Sequence, residues 1–146
     1  MTTARPPASM PLPVPNQDNQ EFWDGCKQHE FRIQRCRGCG TFRHYPRPAC
    51  HNCASFDTEW VTVSGRGTVY SYTIAYYAFH PYFRDKIPYP VVVVELDEAP
   101  GVRMASNIVD CPLDEVHIGM AVDVVWEDLN PDVSIYRFRP AVLPGP

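Results

Sequence analysis

The chain has 146 residues, of which 45% are hydrophobic, and this is enough for one domain with a core and a small appendage. Its net charge of −4 argues against general nucleic-acid binding, which needs a broad positive surface. No apolar run approaches the roughly 20 residues of a membrane-spanning helix. Residues 1–6 lack the apolar stretch and cleavage site of a secretion signal, so we expect a cytoplasmic protein.

The N-terminal region is rich in proline, with five of the 16 prolines in residues 1–15. We therefore predict a flexible, extended arm over residues 1–18. A short helix is predicted next, over residues 19–27, with Asn19 as N-cap and with Phe22 and Cys26 on one face.

Four cysteines form two closely spaced pairs, Cys36 with Cys39 and Cys50 with Cys53. Two residues separate the cysteines of each pair, so a tight turn directs both thiolates to one point, and two such turns make a tetrahedral structural Zn²⁺ site. We expect Gly38 and Asn52, which tolerate left-handed backbone, to form these turns. Disulfide or redox chemistry is the alternative, and four thiolates leave no open position for a catalytic water.

Short alternating segments surround the first pair, and we predict strands over residues 31–35 and 41–45. Residues 21–53 carry six Lys/Arg against three acids, whereas residues 54–146 carry six against 13. The first segment, the predicted ribbon, is therefore locally basic and the rest of the chain is acidic, which is compatible with one small anion bound at the ribbon. The lone Cys26 and Cys111 are interpreted as small buried apolar residues.

From residue 61 onward the sequence is typical of an all-β fold. Five strands are predicted at residues 68–77, 90–96, 102–109, 122–127 and 134–138, with a helical turn near residues 112–116. Gly65 and Gly67 precede the long first strand and suit a bend or bulge. The mainly β fold is therefore predicted as a short helix and zinc ribbon (19–60), a five-stranded OB-fold barrel (61–140) and a tail (141–146); a β-sandwich fragment is the alternative.

With that order of elements the chain resembles the DUF35 family, in which a rubredoxin-like zinc ribbon precedes an OB-fold. The matching stretches cover about residues 20–140. They are Phe22-Trp23, Cys36-x-x-Cys39-Gly40, Tyr45-Pro46-Arg47-x-x-Cys50-x-x-Cys53, residues 65–72, residues 94–98 and Ile118-Gly119-Met120-x-Val122.

The resemblance implies an acyl-CoA-associated accessory subunit. Its partner would be a thiolase-like enzyme (acyltransferase or retro-aldolase) or a MaoC-like hydratase of lipid or steroid metabolism, with acyl-CoA at a shared site. Catalytic residues would belong to the partner, and no catalytic motif is evident in this chain. Two alternatives stay open: a nucleic-acid-binding ribbon/OB module and a free-standing acyl-CoA carrier or enzyme.

Two groups of residues are candidates for contact with a partner or ligand. The loop over residues 78–89 combines aromatic and basic residues, as interface hot spots do, and it also suits acyl-chain contact or simple loop packing. Its candidates are Phe79, His80, Tyr82, Phe83 and Arg84. Between the cysteine pairs, Arg43, His44 and Arg47 are candidates for CoA phosphates or else form a solvated basic face.

Overall fold

A computed structural model describes residues 9–141; the first eight residues of the predicted arm and residues 142–146 of the predicted tail lie outside them. The elements are α1 (Gln20–Lys27), β1 (Phe31–Cys36), β2 (Phe42–Arg43), β3 (Thr58–Val63), β4 (Arg66–Ala75), β5 (Tyr89–Leu96), β6 (Arg103–Ser106), β7 (Ala121–Asn130) and β8 (Val133–Pro140). Single 3₁₀ turns occur at Pro81–Phe83 and Leu113–Glu115. In this part of the chain, no helix has the length and apolar character that crossing a bilayer requires.

The N-terminal sheet has three antiparallel strands in the order β2-β1-β3. β1 pairs along its whole length with β3, from Phe31 opposite Val63 to Cys36 opposite Thr58. The sequence analysis did not predict β3, because Glu59 and Trp60 interrupt any simple alternation and the strand is defined by its distant partner. The predicted strand over 41–45 is shorter than expected, since only Phe42 and Arg43 pair with β1.

The second sheet has five antiparallel strands in the order β6-β5-β4-β7-β8, and it curls until its two edges meet. Ile108 bridges to Phe138 in parallel. Backbone hydrogen bonds from Val109 N to Phe138 O (2.7 Å) and from Phe138 N to Asn107 O (3.1 Å) join these edges. The prediction of a mainly β fold with a five-stranded OB-type sheet is confirmed.

Two glycines allow β4 to start in the crowded centre of this sheet. Gly65 has a φ of +85°, and a side chain there would place Cβ 2.2 Å from Val124 Cγ1. A Cβ on Gly67 would lie 2.5 Å from Val94 Cγ1. The register between β4 and β5 then shifts between Val69 and Ser71, which is the bulge expected near the head of this strand.

One apolar core joins the two sheets and α1. Phe31 of β1 packs between Phe22 of the helix and Phe138 of β8, with ring centroids 6.3 and 6.2 Å apart. All three rings are fully buried. The predicted boundary between residues 60 and 61 lies inside β3, and the core is continuous across it.

Candidate functional site

The four paired cysteines lie at the end of the N-terminal sheet away from this core, on two turns of the same design. Gly40 N donates to Cys36 O (2.8 Å), and Ala54 N donates to Cys50 O (2.9 Å). The residue after each second cysteine has left-handed backbone, with φ +76° at Gly40 and +63° at Ala54. The expectation that Gly38 and Asn52 would adopt this conformation is therefore wrong, because the backbone becomes left-handed only at the residue that follows the second cysteine of each pair.

The four Sγ atoms all lie within 4.8 Å of one another. Cys36 Sγ is 3.5 Å from Cys53 Sγ, and Cys39 Sγ is 3.6 Å from Cys50 Sγ. Tetrahedral Zn²⁺ with Zn–S bonds of about 2.3 Å requires sulfur–sulfur separations of about 3.8 Å. The residues therefore fit a structural zinc ion, with Cys36, Cys39, Cys50 and Cys53 as its ligands.

Nearby donors favour the thiolate form of the two cysteines of the first turn, Cys36 and Cys39. The Thr41 hydroxyl lies 3.1 Å from Cys39 Sγ, and the Asn52 side-chain amide donates to the same sulfur at 3.6 Å. The contact with Thr41, which has the largest effect, and the contact with Asn52 lower the pKa of Cys39 to about 5. A hydrogen bond from the Cys39 backbone is the main cause that lowers the pKa of Cys36. Deprotonated sulfur is the form that binds metal, so the first turn favours zinc. In the second turn the Ser55 backbone lowers the pKa of Cys53, but the neighbouring thiols of Cys36 and Cys39 outweigh it and raise the value to about 11.

Two of the three basic candidates between the cysteine pairs make contacts within the fold. Arg43 is only 4% exposed, and its guanidinium donates to Arg47 O (2.9 Å) and to Thr58 Oγ1 (2.6 Å). The His44 ring packs on Phe22 with centroids 4.9 Å apart, and burial lowers the pKa of His44 to about 4. The Arg43 guanidinium is therefore enclosed and the His44 ring lies against α1, and contact of either residue with CoA phosphates stays an untested prediction.

Arg47 differs from its two neighbours. Its backbone is held in place, since its amide donates to Gln34 Oε1 (2.9 Å), but its side chain is exposed. The guanidinium makes no ion pair within residues 9–141. Of the three basic candidates, Arg47 alone keeps the accessible charge that a phosphate contact needs, and that contact stays a prediction.

The structure separates the five candidates of the loop between β4 and β5 into two groups. His80 Nδ1 accepts from Tyr82 N (3.1 Å) and caps the 3₁₀ turn, while Phe83 packs on Tyr82 and Tyr89 with centroids 5.0 and 5.4 Å apart. These residues hold the loop together. Phe79, in contrast, is 89% exposed, and Arg84 is also exposed. Contact with a partner or an acyl chain stays a prediction for the group.

Sequence reasoning missed several exposed aromatics on and after β4. Tyr76 and Tyr77 are 74% and 68% exposed, and the Tyr77 ring packs edge-on against Phe79 with centroids 4.9 Å apart. Tyr70 and Tyr72 on β4 are exposed as well. A run of aromatic and β-branched residues predicts a strand but not which of its sides is covered, so only the tertiary structure identifies this surface.

A Ser/His/Asp group occurs in the described residues but lacks the geometry of a catalytic triad. His29 Nε2 lies 2.7 Å from Asp128 Oδ1, and the Ser134 hydroxyl donates to the same carboxylate oxygen. The serine therefore has no imidazole to take its proton. Burial raises the pKa of Cys26 to about 12 and also raises that of Cys111, so neither is a thiolate at neutral pH.

Comparison with protein families matches both parts of the chain. A model described as the rubredoxin-like zinc ribbon domain of ChsH2 matches residues 23–59. A model described as the C-terminal OB-fold domain of ChsH2 matches residues 60–127.

Curated relatives fall into two kinds. The chain is 42% identical over 97% of its length to a probable enoyl-CoA hydratase alpha subunit of Thermomonospora curvata. It is 38% identical over 92% of its length to the 3-oxo-4,17-pregnadiene-20-carboxyl-CoA hydratase alpha subunit of Mycobacterium tuberculosis. It spans only 43% and 41% of those two proteins. A DUF35 domain-containing scaffold protein of Methanocaldococcus jannaschii is 34% identical, and the match covers 73% of this chain and 78% of that protein.

Two solved structures share the fold. A chain of a structure described as Ltp2-ChsH2(DUF35) aldolase is 42% identical with a TM-score of 0.78, and the match covers 89% of this chain and 99% of that one. A DUF35-family protein from Sulfolobus solfataricus is 19% identical with a TM-score of 0.60, and 86% of each chain is covered. The second likeness concerns the fold alone.

Proposed function

The chain belongs to the DUF35 family, with the zinc-ribbon and OB-fold domains of ChsH2, and we propose that it is a non-catalytic accessory component of an acyl-CoA-processing complex. In this proposal it binds a thiolase-like enzyme, such as an acyltransferase or retro-aldolase, or a MaoC-like hydratase. It helps to form the acyl-CoA site of that enzyme. The zinc ion stabilises the ribbon and takes no part in the reaction, because four thiolates fill its coordination sphere.

The observation that carries this proposal is the match to the aldolase structure named for Ltp2 and ChsH2. The alignment takes up 99% of a chain in that structure, at 42% identity. A module of this size and fold therefore occurs as a chain of its own in a structure described as an aldolase. The scaffold-protein relatives support the same kind of role.

The site chemistry supports a non-catalytic role. In the part of the chain that the structure describes, the cysteines outside the zinc site are protonated, His44 is half-buried and neutral, and Ser134 donates to a carboxylate. The groups that acyl-CoA chemistry needs, a nucleophile with an adjacent base or a positioned acid, are not assembled there. We infer that the partner enzyme supplies them.

Exposed aromatics on an OB-fold also favour a second candidate, a single-stranded nucleic-acid module that stacks bases on Tyr76, Tyr77 and Phe79. Such modules track the phosphate backbone with a positive groove. Residues 54–146 carry 13 acids against six Lys/Arg, which opposes that function. Retention of single-stranded oligonucleotides at low salt would favour this candidate over the accessory role.

Affinity purification of the tagged protein from its native cells, with mass identification of whatever co-purifies, tests the proposal. We expect a thiolase-like or hydratase chain in near-stoichiometric amount, and acyl-CoA turnover by the complex but not by the isolated chain. Recovery without such an enzyme, or turnover by the chain alone, would contradict the proposal.

Matched variants then separate the two predicted contacts. Phe79→Ala is expected to weaken capture of the enzyme, whereas Phe56→Ala, which removes a phenylalanine of the ribbon that is 77% exposed, is expected to leave it unchanged. Arg47→Ala is expected to raise the KM for acyl-CoA of the complex without reducing capture. Arg139→Ala, at an exposed arginine of β8, is its control.

A further inference from the structure

Two of the six Lys/Arg residues in the segment 21–53 carry a charge that no acid balances within residues 9–141. The other four form ion pairs: Lys27, Arg32, Arg35 and Arg37. The two exceptions, Arg43 and Arg47, are in direct contact. The Arg43 guanidinium donates to the Arg47 carbonyl oxygen from Nε (3.2 Å) and from Nη2 (2.9 Å). The ribbon therefore holds two uncompensated positive charges at one place.

The burial of Arg43 is unfavourable for the fold by itself. The residue is only 4% exposed, and its acceptors, Arg47 O and Thr58 Oγ1, are both neutral. Its Nη1 atom is buried and has no hydrogen-bond partner among the described residues. A buried charge without a counter-ion lowers stability, and a neutral donor would satisfy a carbonyl oxygen at less cost. An arginine at this position therefore indicates that its charge has a use.

The backbone of Arg47 is fixed from two directions by buried side chains. Gln34 of β1 is 6% exposed and its Oε1 accepts from Arg47 N (2.9 Å), while Arg43 of β2 donates to Arg47 O. Gln34 and Arg43 are direct partners in the β1–β2 register. Arg47 also lies between Pro46 and Pro48, and a proline restricts both its own backbone and that of the residue before it. The exposed side chain of Arg47 is thus presented from a rigid backbone.

This arrangement suits a phosphate ligand. A guanidinium group binds phosphate through charge-assisted hydrogen bonds that are often bidentate. Because the Arg47 backbone is already ordered, less conformational entropy is lost when the ligand binds. A second uncompensated charge, on Arg43, adds to the local positive potential that attracts an anion. A diphosphate, which carries more than one negative charge, complements two guanidinium groups better than a single carboxylate does.

From these contacts we propose that Gln34 and Arg43 are positioning residues for a diphosphate-binding site in which Arg47 makes the contact. Gln34 holds the Arg47 amide, and Arg43 holds its carbonyl group and contributes a second positive charge from below. The natural ligand is the diphosphate ester of an acyl-CoA, and this choice of ligand rests on the proposed function. The fixed backbone and the two uncompensated charges do not rest on it.

Titration of the zinc-loaded full chain with ADP, followed by amide NMR, tests the site without a partner enzyme. We expect the largest shifts at residues 43–47, and we expect added salt to weaken the binding. Adenosine, which has the same base and no phosphate, should leave these residues unshifted. Arg47→Ala should abolish the shifts, whereas Arg139→Ala, at an exposed arginine of β8, should preserve them.

Gln34→Glu separates the proposed role from a purely structural one. The carboxylate keeps an acceptor for Arg47 N and gives Arg43 an acidic neighbour, so the melting temperature should be unchanged or higher. The Kd for ADP should nevertheless rise roughly tenfold, because the charge that attracts the phosphates is then compensated.

Arg43→Met tests the same charge independently and covers the case in which Gln34→Glu does not fold. It replaces a buried ion by an apolar side chain, a change that is often neutral or stabilising, and it should also raise the Kd for ADP. Either variant, if it retains zinc and melts like the natural chain but binds ADP with unchanged affinity, would overturn the proposal.

The complex with the catalytic enzyme distinguishes this inference from the proposed function. There Gln34→Glu and Arg43→Met should raise the KM for acyl-CoA and leave kcat unchanged. ADP bound at residues 43–47, without recovery of an acyl-CoA enzyme, would support the site and contradict the proposed function. Recovery of such an enzyme, with no ADP shifts at residues 43–47 and no change of KM in either variant, would overturn this inference alone.

Discussion

The two ends of the ribbon are stabilised by different means. At one end, Phe31 and Ile33 of β1 and Val63 of β3 are buried in the same core as Phe138 of the barrel. At the other end, residues 36–57 carry the two cysteine turns, where Cys39 and Cys53 are exposed and Phe56 lies in solvent. Apolar burial holds the first end and metal ligation the second, although both belong to one sheet.

The difference shows that the ribbon is not an independent unit appended to a barrel. Its strands contribute to the hydrophobic core that stabilises the OB-fold, so the metal is needed only where the core stops. A change at one end should therefore reveal how far the other end depends on it.

Loss of zinc is expected to have the largest effect. In Cys39→Ser, or after chelation, the free energy of zinc binding is lost, which is about 10 kcal/mol for small zinc domains. We expect residues 36–57 to unfold while β1, β3 and the barrel persist, because their core does not contain the metal. Amide NMR spectra with and without zinc would check this, and collapse of all resonances would show instead that the metal holds the whole fold.

Truncation of the shared core should affect both ends together. Phe31→Ala removes a ring packed against Phe22, Trp126, Tyr136 and Phe138, and it is expected to lower the free energy of unfolding by about 3–5 kcal/mol. Denaturant unfolding followed by tryptophan fluorescence would measure the loss. Phe56→Ala, at a 77% exposed ring, should change it by less than about 0.5 kcal/mol. Two separate transitions would contradict a shared core.

Mild acid should weaken the junction at which the ribbon meets α1. The pKa of His44 is about 4 in the fold and about 6.5 when unfolded, so the unfolded chain binds the proton more readily. This contribution is complete above pH 6.5 and is lost as pH falls toward 4, at a cost of about 2–3 kcal/mol. His44→Phe should flatten the pH dependence of the melting temperature over that window. Zinc release, followed in parallel, separates this effect from protonation of the thiolates.

The smallest effect is expected from the left-handed residues of the two cysteine turns. Ala54→Gly removes the strain of an alanine at φ +63° and should stabilise the metal end by about 1 kcal/mol. Gly40→Ala introduces the same strain at φ +76° and should destabilise it by a similar amount. Competition for zinc with a chromogenic chelator would detect both changes, and the melting of the core should not move in either variant.

Much of this architecture could be predicted from local patterns. The spacing of the four cysteines indicates the metal site, because covalent geometry brings each pair together regardless of the rest of the fold. Strand periodicity, with glycines ahead of β4, indicates the OB-type sheet. β3 was missed since Glu59 and Trp60 obscure its pattern, and only its pairing with β1 makes it a strand.

The contact residues were harder to predict. Arg43 and His44 have the composition of an anion site, yet the first is enclosed beside Thr58 and the second lies against Phe22. Tyr76 and Tyr77 were predicted as part of a strand, and they are exposed rings that follow β4. In each case the exposure of the side chain depends on residues that are distant in sequence.

The sequence by itself determined the metal ligands, the order of elements and the family, since these depend on spacing and periodicity within short segments. Only the tertiary structure decided which arginine stays in solvent and which aromatics are exposed. Exposure and pairing arise from long-range packing, where each side chain's environment is set by strands far away along the chain. The position of a charge or a ring in the sequence therefore does not reveal what it can bind.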